Sequence, residues 1–225
     1  GLAARVREGG FDLGLAFDGD ADRCLAVDRR GRAIDGDHIL FLCGRRLKRL
    51  GALPGDAIVA TIMSNYWLEK RLGDEGIRLH RAPVGDKYVL ERMVAENLIL
   101  GGEQSGHVIF RDRGTTGDGI LTGLLLVDAV LDDAVPVETT LDGIAPFPQM
   151  LINVRVSGKP DLHAHPAIGP VVTAAERELE GRGRIVLRYS GTESLARVMV
   201  EADDDALVRS TADRIAAVIR EHLGG

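Results

Sequence analysis

Short apolar runs alternate with amphipathic segments along residues 11–131, and this alternation limits the fold more than any other feature. The run "AIVATIM" (57–63) has the length and composition of a buried strand, whereas "DHILFLCGRRLKRLG" (37–51) and "DGILTGLLLVDAVL" (118–131) carry apolar residues at helical spacing. Strands that alternate with helices pack as an α/β layer around a largely parallel sheet. We therefore predict an α/β fold, in which "LILGGEQSGHVIF" (98–110) forms a hairpin-like unit around a Gly-rich turn.

The pattern changes near residue 134, where "VPVETTLDGIAPFPQ" carries three prolines and no sustained apolar period. We assign residues 137–146 to a linker on this basis. Three strand-like runs and two helical segments follow it. They predict a small α+β C-terminal domain over residues 147–225.

The balance of charged residues indicates which classes of binding partner are unfavourable. Lys and Arg number 28 against 34 Asp and Glu, a net charge of −6, which argues against nucleic acid or an anionic membrane surface as the main partner.

Cys24 and Cys43 lie in apolar contexts and are expected to be buried thiols of a reducing compartment. Because no apolar run approaches bilayer length, we expect a cytoplasmic protein. The opening "GLAARVREGG" resembles the end of a helix, so we also expect a fragment of a longer protein.

The stretch "FDGDADRC" (17–24) sets three aspartates on alternate positions between two predicted strands. Alternate residues of extended backbone point the same way, so Asp18, Asp20 and Asp22 can converge on one hard cation. Oxygen ligands favour Mg²⁺ or Ca²⁺ over zinc, and the EF-hand pattern fails because Arg23 stands where a glycine is required. The alternative is a turn that uses Asp and Gly for their backbone preferences.

Two further stretches carry polar groups that suit a ligand. "GGEQSGH" (101–107) offers Glu103 and Ser105 to a polyhydroxyl molecule, or is a plain hairpin turn. In "PVGDKYVLE", Lys87 is either a cation for a ligand or a solvated side chain of a first helical turn. Asp118 in "TTGDG" is a candidate helix cap.

The stretch "RYSGTES" (188–194) combines a guanidinium, two hydroxyls and a glycine turn directly after a predicted strand. These groups suit a phosphate, which takes charge-assisted hydrogen bonds and backbone N–H donors. The candidate phosphate-binding residues are Arg188, Ser190, Gly191, Thr192 and Arg197. A polar β-turn without a ligand is the alternative reading.

Taken in order, "DGDADR", "VGDKYV", "GGEQSGH", "TTGDG" and "RYSGTE…RVMVE" resemble the motifs of the phosphohexomutase superfamily, and Gln104 is similar to its glucosamine-phosphate branch. The resemblance covers essentially the whole chain. It implies that residues 1–33 are the end of domain 2 with a metal-binding loop, and that residues 34–136 are domain 3 with a sugar-binding loop. Residues 147–225 would then be the phosphate-binding domain.

This resemblance implies an isomerase that interconverts glucosamine 6-phosphate and glucosamine 1-phosphate through a 1,6-bisphosphate, for cell-wall precursor synthesis. It implies Mg²⁺ as the cofactor and sugar phosphates as partners, and it leaves a homo-oligomer open. The implied metal ligands are Asp18, Asp20 and Asp22. The implied catalytic residues are Arg23, Lys87 and His107. The implied substrate contacts are Glu103, Ser105, His107, Arg188, Ser190, Gly191, Thr192 and Arg197.

The sequence departs from the family pattern in two respects. Tyr189 and Ser194 stand where the phosphate-binding loop usually has prolines, which affects the expected stiffness of the loop. The catalytic serine of the family has no counterpart here, so we expect this chain alone to be impaired as a mutase. A stand-alone metal-dependent hydrolase and a non-catalytic phosphosugar-binding module remain alternatives.

Overall fold

The computed structural model describes residues 1–225, which form two compact units, Gly1–Ala145 and Pro146–Gly225. The helices of the first unit are α1 (Leu2–Gly9), α2 (Gly36–Arg49), α3 (Tyr66–Asp74), α4 (Asp86–Ala95), α5 (Gly119–Leu131) and α6 (Val137–Asp142). Its strands are β1 (Leu13–Phe17), β2 (Cys24–Asp28), β3 (Ala33–Ile34), β4 (Ala57–Thr61), β5 (Arg78–Ala82), β6 (Leu100–Gly102) and β7 (Val108–Phe110). The second unit contains β8 (Gln149–Arg155), α7 (Ile168–Glu178), β9 (Gly183–Tyr189), β10 (Leu195–Ala202) and α8 (Asp205–Leu223).

The larger sheet of the first unit has the strand order β5-β4-β6-β7. Strand β4 runs parallel to β5 and β6, and only β7 is antiparallel to its neighbour. Every residue of β4 is buried, as expected for an apolar strand covered on both faces by helices. The predicted α/β layer with a largely parallel sheet is therefore confirmed, as is the hairpin-like pairing of β6 with β7.

A smaller antiparallel sheet, β1-β2-β3, lies in the same unit. Its first two strands pair from Leu13 opposite Asp28 to Phe17 opposite Cys24. The connection between them is the aspartate-rich stretch 18–23, hereafter the acid loop. Because the paired strands end at Phe17 and begin again at Cys24, the loop is anchored at both ends by the sheet.

The segment assigned to a linker from its prolines contains a helix, so that prediction is wrong for residues 137–142. Helix α6 belongs to the first unit, and its Val137 and Leu141 are buried. Arg32, in the turn before β3, donates to the Glu138 carbonyl at 2.8 Å and pairs with Asp142 at 2.8 Å. These contacts join residues more than 100 positions apart, so apolar periodicity within the segment did not reveal them.

The second unit is the predicted α+β domain. Its sheet has the order β8-β10-β9 with both pairings antiparallel. Helix α8 packs on β8 and β10, and it also contacts α7. Val172, Val198 and Ile215 are fully buried in the core between helices and sheet.

Both cysteines are free and buried, as the sequence predicted. Burial raises the pKa of the Cys24 thiol to about 11 and that of the Cys43 thiol to about 12. Neither is therefore a thiolate near neutral pH. No helix of the chain has the length and apolarity needed to cross a membrane.

Candidate functional site

The acid loop brings its three aspartates together. One carboxylate oxygen from each of Asp18, Asp20 and Asp22 lies within 4.8 Å of the other two. Ala21 has a φ of 59°, a left-handed conformation that non-glycine residues rarely adopt and that bends the loop between the second and third acids. The loop therefore curls three like charges toward one point instead of spreading them apart.

Arg23 offsets part of this negative charge. Its Nε atom lies 3.5 Å from Asp18 Oδ2 and 3.7 Å from Asp22 Oδ1, and its backbone N–H donates to Asp18 Oδ1 at 3.2 Å. Desolvation raises the pKa of Asp18, but the amide hydrogen bond, a hydrogen bond with Asp22 and the Arg23 charge outweigh it, so that pKa is lowered. The carboxylate is therefore ionised and ready to bind a cation.

The donor set fits a hard divalent cation. Asp22 Oδ1 is buried and accepts no hydrogen bond, and Arg23 Nε lies 3.7 Å from it, so this oxygen has lone pairs available for a cation. Three carboxylates with no His or Cys among them match the oxygen preference of Mg²⁺. Asp18, Asp20 and Asp22 are the residues that would hold such an ion.

His107 links the acid loop to the loop Glu103–His107, hereafter the sugar loop. The side chain of His107 is buried, with Nδ1 3.1 Å from Asp22 Oδ2, and its Nε2 accepts the Gly117 N–H at 3.1 Å. Since Nε2 accepts, the neutral ring carries its proton on Nδ1 and donates it to Asp22. The resemblance implies that His107 is catalytic and contacts the substrate. In the structure both ring nitrogens bond to protein groups, and one of these groups, Asp22, is a candidate metal ligand.

A third segment, "TTGDG" (115–119), packs closely against the acid loop and His107 because two of its residues are glycines. A Cβ atom at Gly117 would lie 2.6 Å from His107 Cε1 and 2.7 Å from the Asp22 carbonyl oxygen, so no larger residue fits. Gly119 donates its N–H to the Ala21 carbonyl at 2.8 Å. Asp118 caps α5 by accepting from Leu121 N–H at 2.9 Å, as predicted.

The sugar loop borders two surface pockets. Ser105 lines one pocket together with Asp18 and Arg23 of the acid loop. The second, hereafter the sugar-loop pocket, is lined by Thr61, Met63, Val84, Glu103, Gln104 and Ser105. Ser105 is therefore shared between the two pockets, and it connects the candidate metal ligands to the candidate sugar contacts.

Glu103 lines the sugar-loop pocket, whereas Lys87 is not among its lining residues. Glu103 Oε1 accepts the N–H of Gly85 at 3.0 Å, which ties the start of α4 to the sugar loop. Lys87, in the first turn of α4, is 74% exposed and lies 3.8 Å from Glu91 Oε1. The long, exposed side chain of Lys87 is thus held by a weak surface ion pair and by the Tyr88 ring, whose centroid lies 6.0 Å from Nζ.

The second unit carries the candidate phosphate-binding residues on the ends of two paired strands. Arg188 of β9 and Arg197 of β10 face each other in register. Ser190 is buried, and its Oγ accepts from Glu193 N–H at 3.2 Å and lies 3.5 Å from Arg197 Nη2. Arg197 Nε is buried without a hydrogen-bond partner, while Gly191 and Thr192 are exposed. Two guanidinium groups and an exposed glycine turn are what an anion site requires.

Nothing in the sequence indicated two side-chain contacts that hold the candidate phosphate-binding segment 188–194 in place. Lys159 Nζ donates to the Ser190 carbonyl at 2.7 Å, and the Tyr189 hydroxyl donates to the Pro160 carbonyl at 2.8 Å. Tyr189 thus makes a cross-link that a proline at this position could not make. The segment 157–160 resembled only a polar connection, so no sequence signal pointed to these contacts.

Comparison with known proteins agrees with the fold. The family profile described as phosphoglucomutase/phosphomannomutase, alpha/beta/alpha domain III, matches residues 35–147, and the profile of the family's C-terminal domain matches residues 151–218. The chain therefore belongs to the phosphoglucomutase/phosphomannomutase family, the phosphohexomutases.

Among its curated relatives is a phosphoglucosamine mutase of Solidesulfovibrio magneticus, 50% identical over 222 residues, which cover 99% of this chain and 49% of the relative. Another, from Rhodospirillum rubrum, is 50% identical over 216 residues, covering 95% of this chain and 48% of the relative. The chain thus spans about half the length of the curated relatives it matches.

Solved structures share the fold. An N-acetylphosphoglucosamine mutase of Aspergillus fumigatus has a TM-score of 0.74 at 22% identity, with 99% of this chain and 52% of that chain covered. The same enzyme in complex with GlcNAc-6P and magnesium has a TM-score of 0.70 at 22% identity, with 97% of this chain and 52% of that chain covered.

Proposed function

We propose that this chain contributes the metal-binding, sugar-binding and phosphate-binding parts of a phosphoglucosamine mutase, which interconverts glucosamine 6-phosphate and glucosamine 1-phosphate through a 1,6-bisphosphate. One observation carries the proposal: the acid loop holds three carboxylates within 4.8 Å, and His107 joins that loop to the sugar loop at 3.1 Å. The curated relatives at about 50% identity carry the same name. A cytoplasmic location is part of the proposal, since the buried free thiols suit a reducing compartment.

The proposed metal ligands are Asp18, Asp20 and Asp22, and the proposed ion is Mg²⁺. A bound Mg²⁺ would neutralise charge on the phosphoryl group during transfer. Arg23 is half-exposed and lies beside these acids. It would add a positive charge to the pocket that Asp18, Arg23 and Ser105 line together. His107 would hold Asp22 in one orientation through its Nδ1 proton.

The proposed sugar contacts are Ser105 and Glu103, with Lys87 near the reacting hydroxyl. Ser105 Oγ can donate and accept, and the carboxylate of Glu103 has lone pairs beyond the one that accepts the Gly85 N–H. In the second unit, we propose that Arg188, Ser190, Gly191, Thr192 and Arg197 bind the phosphate that is not transferred. Phosphoryl transfer depends mainly on positioning and charge neutralisation, which these groups supply.

Calorimetric titration of this chain with glucosamine 6-phosphate, with and without Mg²⁺, tests the binding roles. We expect binding that Mg²⁺ strengthens, and we expect Asp20→Ala to abolish the Mg²⁺ effect. Asp112→Ala is the matched control, because Asp112 is an exposed acid paired with Arg113 outside the site. A Mg²⁺ effect that survives in Asp20→Ala would contradict the metal assignment.

The phosphate assignment is tested by titration with the same ligand. Arg188→Ala should weaken binding, whereas Arg209→Ala, which removes an exposed arginine paired with Asp205 on α8, should not. Equal affinities for the two variants would refute the assignment of Arg188.

A coupled assay for glucosamine 1-phosphate, run beside a phosphatase screen, tests catalysis. We expect little isomerisation by this chain alone. Rapid isomerisation would contradict that expectation, and hydrolysis that Asp20→Ala abolishes would favour a metal-dependent hydrolase instead.

A further inference from the structure

The first turn of α2 contacts both sides of the sugar-loop pocket, although none of its residues lines that pocket. This turn, Asp35–Gly36–Asp37, is hereafter the α2 bracket. Asp35 is the N-cap of the helix and accepts the His38 N–H at 3.2 Å. Two acids in one helical turn are favourable for the helix dipole, but a helix needs only one of them as a cap. The burial and the partners of the second acid call for another explanation.

One half of the bracket holds the sugar loop. Asp35 Oδ2 accepts from Gln104 Nε2 at 3.2 Å, and the Gly36 N–H donates to the Gln104 carbonyl at 3.0 Å. The approach is so close that a Cβ atom on Gly36 would lie 1.9 Å from the Glu103 carbonyl oxygen. Backbone and side chain of Gln104 are therefore both fixed by the start of α2.

The other half holds the opposite wall, the connection from β4 to α3 that contains Thr61 and Met63. Asp37 Oδ2 accepts the backbone N–H of Asn65 at 2.8 Å, and the Asp37 side chain is completely buried. Arg81 holds the carbonyls of the same connection, with Nη1 3.2 Å from Thr61 O and 3.0 Å from Ser64 O. Asp37 thus holds a backbone N–H of this connection, and Arg81 holds two of its carbonyls.

Burying a carboxylate is costly unless hydrogen bonds satisfy it, so the groups that contact Asp37 decide what this residue contributes. The Asn65 N–H and the Ser64 side chain both hydrogen-bond to Asp37, so the carboxylate directs its acceptors at the β4–α3 connection. What Asp37 does supply is a strong acceptor for one amide of the pocket wall, 28 residues away along the chain.

We propose that Asp37 is a positioning residue for the sugar site: through the α2 bracket it sets the spacing between the β4–α3 connection and the sugar loop, and thereby the affinity for the sugar part of the ligand. The proposal rests on the proposed function of the sugar-loop pocket. It assigns Asp37 no contact with the ligand.

The test compares Asp37→Ala, Asp37→Asn and Asp28→Ala in the full chain by calorimetric titration with glucosamine 6-phosphate and, separately, with inorganic phosphate. Asp37→Ala removes the acceptor of the Asn65 amide, and we expect roughly tenfold weaker sugar phosphate binding. Asp37→Asn keeps an oxygen at that position and should recover most of the affinity. Affinity for inorganic phosphate should stay unchanged in both variants.

Asp28→Ala is the matched control, because Asp28 is an equally buried acid of the same unit whose Oδ2 accepts from Arg32 Nε at 2.7 Å. This variant should lose stability but keep its affinity for sugar phosphate. The proposal is overturned if Asp28→Ala and Asp37→Ala weaken sugar phosphate binding equally, or if folded Asp37→Ala binds it as the original chain does.

Amide hydrogen exchange separates this proposal from the proposed function. Asp37→Ala should speed exchange both at Asn65 and in residues 103–106, and Asp37→Asn should restore protection in both places. If the original chain binds no sugar phosphate but shows this paired change, the proposed function fails while the positioning role of Asp37 on the two walls stands. Faster exchange at Asn65 alone, with residues 103–106 unchanged, refutes the bracket.

Discussion

Asp37→Asn should change how the stability of the first unit depends on pH. Burial raises the pKa of Asp37 to about 6, and the negative charge of Asp35 adds to this, while hydrogen bonds from Asn65 and Ser64 and the charge of His38 oppose it. An ordinary aspartate titrates at 3.8. A carboxyl group with a higher pKa in the folded state binds its proton more tightly there than in the unfolded chain.

Proton linkage gives the sign and the size of this change in the free energy of unfolding. The contribution of Asp37 to the free energy of unfolding is fully present below pH 4 and is lost as the pH rises to about 6. The two pKa values lie roughly two pH units apart, which corresponds to a loss of about 3 kcal/mol. The asparagine variant lacks this titration, so its stability relative to the original chain should improve by that amount between pH 4 and pH 7.

The chain offers a direct probe. Trp67 is its single tryptophan and lies in the first turn of α3, so its fluorescence in urea reports unfolding of the first unit alone. The free energy of unfolding is measured for both proteins at each pH, and the difference is taken. The contributions of acids that both proteins share then cancel. Asp35 is one of these acids: burial raises its pKa, but the interactions with His38 lower it, and the net shift is downward. A difference that stays constant within about 0.5 kcal/mol from pH 4 to pH 7 would refute the reasoning.

Three further predictions concern the first unit. Gly36→Ala should cost roughly 1–3 kcal/mol of stability in the urea assay, because the new Cβ meets the Glu103 carbonyl oxygen; a neutral result would refute the close approach. Cys24 and Cys43 should react with a thiol reagent at neutral pH only as fast as the unit unfolds, because burial raises both pKa values; rapid labelling of the native chain would contradict this. Asp142→Asn should lower the melting temperature of the unit slightly at low salt and less at high salt, because it breaks ion pairs with the arginines before β3; a loss that salt does not reduce would argue against them.

Much of the architecture follows from the sequence because its signals are local. The period of apolar residues separates strands from helices within single elements, such as the 5-residue β4 and the 19-residue α8. Caps such as Asp118 act within one turn. The acid loop is equally local, since three aspartates on alternate positions between two strands need no distant partner to attract notice. The order of five short motifs was enough for the family resemblance, which the family profiles confirm.

The positions of the site residues relative to one another were decided by tertiary structure. Asp22 meets His107 across 85 residues, and Asp37 meets Asn65 across 28, through hydrogen bonds whose partners have no sequence pattern in common. Helix α6 was assigned to a linker for the same reason, since its ion pairs reach back to Arg30 and Arg32. Periodicity reports which face of an element is apolar, but the free energy of a buried carboxylate or a ring nitrogen depends on which groups the folded chain places within about 3 Å of it.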